Sequence, residues 1–363
     1  MQIKYYVVVC IVFLISVAFT SNLFDIFKMG TAQQVMEVLS DTPNMALLSR
    51  KHIDIDTFLV ISAAFNPSPA VITEIINMGA NPNSRLAFNK APVYSVFEQN
   101  YSIDRNLIER RFDGKTALMI AATNNPNPFV INELIRSGAN LKAIGERDDS
   151  TALHCAAQYN NPEVVIELIK AGADVNIARL RDGQSALMLA AKNNTNNNMI
   201  ITLLNAGAKV NAVDKNRRTA LMFAAEYNLN EIVVSTLIKA GAKVNLHSAG
   251  GTALMYAAAS NPNSKVISQL IKAGAELNAE AGQYRTALHF AARNTTNPEI
   301  IKILVKAGAN KGISPKLFKN IPLHERGNPL RSRFLRDVGF QTAQDLAQDN
   351  PDLDQDIINL LEP

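Results

Sequence analysis

Residues 151–176 read TALHCAAQYNNPEVVIELIKAGADVN. A histidine, His154, and a cysteine, Cys155, stand side by side here, and they form either a reactive pair or one turn of a recurring pattern. Recurrence decides it. Aligned on the Thr/Ser-Ala-Leu of this stretch, the chain places Thr116, Thr151, Ser185, Thr219, Thr252 and Thr286 at steps of 33 to 35 residues. Gly-Ala pairs beginning at Gly138, Gly172, Gly207, Gly241, Gly274 and Gly308 keep the same phase, and an Ala-Ala pair falls between the two markers in every unit. Two independent markers in register define an internal repeat.

Each recurring residue has a physical task. Thr or Ser caps the free N–H groups of a short first helix, and Leu118, Leu153 and Leu187 then face the core. The Ala pair lets neighbouring helices approach closely. Asn161 and Asn297 read as caps of a second helix, with Pro162 and Pro298 in its first turn and Glu163 and Glu299 complementing its dipole. Val164, Val165, Leu168 and Ile169 form the inward stripe, and Gly172 ends the helix in the left-handed conformation. Helices this short are marginal alone, so each unit must bury its face against the next.

The unit resembles the ankyrin repeat in DGKTALMIAA from Asp113, in STALHCAA from Ser150 and in the turns AGADVN and AGAKVN. It departs from that pattern in having Ala after the Thr, where Pro is usual, and Met119, Met188, Met222 and Met255 where His is usual. The resemblance implies an all-α repeat solenoid of helix-turn-helix units joined by hairpin-like turns, with capping units at both ends. It also implies that His154 and His289 are structural, bonded to backbone. Cys155 takes the place of Ile120, Leu189, Phe223, Tyr256 and Phe290 in sister units, so it reads as a core residue, and the aromatic trio reads as core before it reads as an apolar groove.

The same phase divides the chain. Residues 1–21 form a signal peptide or N-terminal anchor, 22–53 an N-terminal capping unit, and 54–112 an ankyrin-like repeat plus a degenerate one at which the stack bends or breaks. Six repeats fill 113–311, a basic insertion 312–340, and a C-terminal capping unit 341–363. The insertion holds six cations against Glu325 and Asp337, a local balance of +4. It is either a solvated loop or a surface for a partner or an anionic polymer.

The 363 residues carry a net charge of only +4, too slight and too dispersed for a dedicated nucleic-acid binder. Lys4 precedes an apolar run from Tyr5 to Phe19, and Ser16 and Ala18 give small residues near its end, the grammar of a signal peptide. No charge appears between Lys4 and Asp25, so anchoring by residues 5–24 is the alternative. Export with cleavage places the protein in the periplasm or outside the cell and leaves Cys155 as its one cysteine. No phosphate loop, metal spacing or recurrent carboxylate pair appears, so no cofactor is expected and no enzyme activity.

Recognition of a protein partner is what remains. In ankyrin-like proteins contacts come from the hairpin tips and the exposed ends of the first helices on the concave side. Here those positions hold Arg179, Arg181, Lys215, Arg217, Arg218, His247, Tyr284 and Arg285 at the tips, and Tyr159, Lys192, Tyr227 and Arg293 at the helix ends. Arg and Tyr commonly supply binding hot spots. A monomer binding one protein partner is the expectation, with a membrane- or envelope-associated adaptor, using the N-terminal segment and the basic insertion, as the alternative.

Overall fold

In the computed structural model, residues 28–40, 55–85, 113–281, 285–312 and 342–362 are described. The leader, residues 86–112, Tyr284 and the basic insertion beyond residue 312 lie outside them. Seventeen helices, no extended strand and a few isolated antiparallel bridges are found among the described residues. The chain divides into two units, residues 1–175 and 176–363.

The first unit holds α1 (Ala32–Ser40) and then three pairs: α2 (Ile55–Phe65) with α3 (Pro69–Asn77), α4 (Ala117–Asn124) with α5 (Pro128–Arg136), and α6 (Ala152–Tyr159) with α7 (Pro162–Lys170). First helices pack on first helices, α2 on α4 and α4 on α6, while α1, α3, α5 and α7 form the second layer. The second unit repeats the plan with α8 (Ala186–Asn193), α9 (Asn197–Asn205), α10 (Ala220–Tyr227), α11 (Glu231–Lys239), α12 (Ala253–Ser260), α13 (Ser264–Lys272), α14 (Ala287–Asn294) and α15 (Glu299–Lys306). It ends in the short pair α16 (Ala343–Gln348) and α17 (Gln355–Leu360), which packs on α14 and α15.

Most of the expected degenerate repeat within 54–112 lies outside the described residues. The helices on either side of it, α2 and α4, pack directly on each other. Asn125 donates its side-chain amide to Ala63 O at 3.0 Å and Asn66 O at 2.8 Å, the bond pattern of adjacent repeats.

The caps act as the residues dictate. Thr116, Thr151, Ser185 and Thr219 accept from the amide three residues on, and the Ala pairs are buried. His154 is fully buried, and its Nδ1 accepts from the Thr151 amide at 3.1 Å; His289 does the same with Thr286 at 3.2 Å. Met255 substitutes a sulfur, accepting from Thr252 N at 3.4 Å. These bonds satisfy orphan helix donors, which is a structural task.

The many asparagines form ladders. In the second unit Asn228 donates to Ala191 O and Asn194 O at 2.9 and 3.0 Å, and Asn261 donates to Ala225 O and Asn228 O at 2.9 Å each. Each side-chain oxygen accepts from the backbone two residues on, so one amide both ends its own helix and ties it to the preceding repeat. A second rung runs through the turns, where Asn211 donates to Gly241 O at 2.9 Å and accepts from Lys243 N at 2.8 Å. Nearest-neighbour bonds of this kind make a repeat stack cohere without long-range contacts.

Candidate partner-binding site

The tip before α10 shows how a side chain is aimed onto the first-helix face. Asp214 is buried, and its Oδ1 accepts from Asn216 N at 2.9 Å and Arg218 N at 2.7 Å. That forces Arg217 into the left-handed region, φ 61°, where sister units place Gly114 and Gly183, or Asp149. Arg217 itself stays exposed. The chain then turns so that Arg218 lies along the face of α10.

Arg218 is the centre of the cluster. Its guanidinium carbon lies 4.0 Å from the Phe223 ring centroid and 4.4 Å from that of Tyr256, one repeat on. It ion-pairs with Glu226. The Tyr256 hydroxyl meets Ser248 Oγ at 2.9 Å, which ties the ring to the turn. Lys192, one repeat back, places Nζ 4.7 Å from the Tyr227 ring centroid, and Tyr227 is 44% exposed. Partial burial, then the Glu226 carboxylate, pushes the Tyr227 phenol up. Three of the sequence candidates, Lys192, Arg218 and Tyr227, thus come together on three rings.

The remaining candidates have other settings. Arg179 is committed to its own hairpin: its amide donates to Gln184 O at 3.0 Å and its guanidinium pairs with Asp182. Arg181, Lys215 and His247 are exposed at the tips, and Lys215 N donates to Asp182 O at 2.9 Å, joining two tips through backbone. Arg285 is half-buried and Arg293 exposed; burial, then the Arg293 charge, lowers the Arg285 guanidinium below its ordinary value. Tyr159 belongs to the first unit and is 45% exposed there.

The structure adds residues that pattern reading passed over. Leu180 and Val213 are apolar yet 68% and 51% exposed, at tips of successive repeats. Of the aromatic trio, Phe223 is buried as expected of core, while Tyr256 and Phe290 are half-buried and reach the surface. Lys115 is buried in the first unit, where Nζ lies 3.0 Å from Asp148 Oδ2 and 3.3 Å from Cys155 Sγ. Cys155 is accordingly a packed thiol, facing a buried cation. Polar partners one repeat away gave these residues no local signature.

A cleft of about 560 Å³ lies between α15 and α17, lined by Lys302, Lys306, Asp354 and Asp356 among others. Its charges are mixed and it is distant in sequence from the stacked cluster. No group of metal-ligating side chains occurs among the described residues, and no helix there is long and apolar enough to cross a membrane.

The architecture is therefore a helical-repeat scaffold that displays rows of side chains along successive units. The ankyrin-repeat family model matches three times, over residues 59–179, 176–248 and 233–315, and the chain belongs to that family. Among curated proteins no match was found. The crystal structure of the human ASB11 ankyrin repeat domain is similar, at 21% identity and a TM-score of 0.54, over 69% of this chain and 99% of that one. That likeness concerns the fold. Ankyrin repeats generally mediate protein–protein interaction, and proteins built of them are typically non-catalytic scaffolds.

Proposed function

We propose that this protein is a non-catalytic scaffold, acting outside the cytoplasm as a monomer, which binds a protein partner through its hairpin tips and its concave, first-helix face. The observation that carries the reading is the row of Lys192, Tyr227, Arg218 and Tyr256. Aromatic rings held by cations are rigid before a partner arrives, so little side-chain entropy is lost on contact. Tyr and Arg are also the residue types that dominate hot spots. Leu180, Arg181, Val213 and Lys215 extend the surface along the tips with alternating apolar and basic character.

The location rests on the leader, with its single Lys4 and its apolar run from Tyr5 to Phe19. A second reading, an envelope-associated adaptor anchored by residues 5–24, is favoured by the lack of charge from Tyr5 up to Asp25. Fractionation of the native cell separates the two. A new N-terminus near residue 22 in the exported fraction supports cleavage, and retention with membranes after a high-salt wash supports the anchor.

The binding reading is tested by affinity capture with the full chain beside a Lys192→Ala, Arg218→Ala, Tyr227→Ala variant of unchanged helicity. A partner recovered by the first and lost from the second supports the row as the contact surface. Equal recovery removes it.

A further inference from the structure

Arg218 and Arg285 occupy the same place in their repeats, each directly before the Thr that caps a first helix. Eight residues after Arg218 comes Glu226, the seventh residue of α10, and the two form an ion pair. Eight residues after Arg285 comes Arg293, the seventh residue of α14. A cation therefore stands where the sister repeat supplies the carboxylate. Among the described residues neither Arg285 nor Arg293 takes part in an ion pair; the Nε of Arg285, like that of Arg218, is buried without a hydrogen-bond partner, so it is the missing carboxylate that sets the two positions apart. Burial first, and then the Arg293 charge, lowers the Arg285 guanidinium below its ordinary value.

We infer that this vacant carboxylate position is filled in trans: the ligand of the first-helix face is an acidic peptide segment of the partner, whose Asp or Glu bridges Arg285 and Arg293. The inference rests on the scaffold reading above and specifies its partner class. Two neighbouring like charges disfavour each other unless an anion answers them. A carboxylate matches the guanidinium fork in a way a lone point charge does not. The repeat between the Arg218–Glu226 pair and the Arg285/Arg293 positions carries small residues at Gly250, Gly251, Ala259 and Ser260. An extended segment can therefore lie from Tyr256 towards α14 without a side-chain barrier. The basic insertion, with its +4 balance, is the wrong sign to supply the anion.

The test is selection of a displayed library of random linear peptides on the full chain, followed by affinity measurements on Arg293→Glu and Arg293→Gln. Arg293→Glu recreates the Arg218–Glu226 arrangement, so its melting temperature should equal or exceed that of the wild type. Selected peptides should be enriched in Asp and Glu and lose about tenfold or more in affinity for Arg293→Glu, less for Arg293→Gln. Peptides without acidic enrichment, or bound equally by Arg293→Glu, overturn the inference. If such peptides still weaken on Tyr227→Ala, the scaffold reading survives alone; if they ignore both changes, both readings fail. A selection that yields no binder overturns the proposal of a linear acidic ligand.

Discussion

Lys115 Nζ lies 3.0 Å from Asp148 Oδ2 in the next repeat, and the lysine is only 3% exposed. Burial works against the ammonium, but Cys155 and Asp148 outweigh it and the Lys115 pKa is raised. Burial likewise opposes the Asp148 carboxylate, and the Lys115 charge with the Ser150 bonds brings its pKa down. The pair joins two repeats electrostatically at a point where apolar packing is interrupted.

Asp148→Asn should therefore be the more damaging half of the pair, because it leaves a buried cation unanswered, at a cost of about 3 kcal/mol or more. Lys115→Met should cost less, since Asp148 is 30% exposed and can hydrate. The double variant should recover part of the loss, which a double-mutant cycle on urea midpoints measures. Additive losses would show that the two groups are not coupled.

The pH dependence follows from the two directions. Asp148 contributes stability above the unfolded carboxyl pKa of about 4, and that contribution disappears as pH falls through its lowered folded value. Lys115 contributes below about 10.4, and loses it as pH rises through its raised folded value. Between those limits the pair's contribution should be flat. Thermal melting of wild type and the double variant against pH should diverge most on that plateau and converge at both extremes.

The asparagine ladder predicts that Asn261→Ala is costly although it removes only a small polar side chain. Ala225 O and Asn228 O each lose a donor in a buried setting, so about 1–3 kcal/mol per abandoned group is expected. Asn198→Ala, on an exposed residue of α9, should change melting little. If both substitutions cost the same, the inter-repeat bonds are not what holds the stack.

The repeat period, the caps and the Ala pairs were legible because each acts within one unit and recurs at a fixed phase. So were the structural histidines, since His154 and His289 stand three residues after the Thr they serve. The rest involves residues that meet across repeats. Lys115 with Asp148, Arg218 with Tyr256 and Asn261 with Ala225 are adjacent only after the units stack, and their sequence separations follow no single period. The many asparagines were visible as composition, but their role needs the carbonyls of the preceding repeat. For the segment after Arg85, Ala91 sits one period after Thr57, yet phase alone cannot say whether a segment enters the stack.

Arg217 tests whether tip chemistry is retained at a stability cost. At φ 61° a non-glycine residue is strained by roughly 1 kcal/mol, so Arg217→Gly should raise the melting temperature slightly. Gly207→Ala is the reverse experiment: at φ 88° the new Cβ meets nothing within 4 Å, so any loss, again about 1 kcal/mol, comes from backbone conformation alone. If Arg217 belongs to the binding surface, Arg217→Gly should be the more stable protein and the weaker binder.

Arg218→Lys isolates what the planar guanidinium contributes. Lysine keeps the charge facing Glu226 but cannot lie flat between Phe223 and Tyr256, whose centroids stand 4.0 and 4.4 Å from the guanidinium carbon. A loss of about 1 kcal/mol in stability is expected from the stacked contacts. Tyr256 would also lose the surface that holds its ring, so partner affinity should fall further than stability does. Arg218→Ala removes both charge and stack and should exceed Arg218→Lys in each measurement. If Arg218→Lys matches wild type in both, the charge alone matters, and the case for a pre-formed aromatic row at this face falls with it.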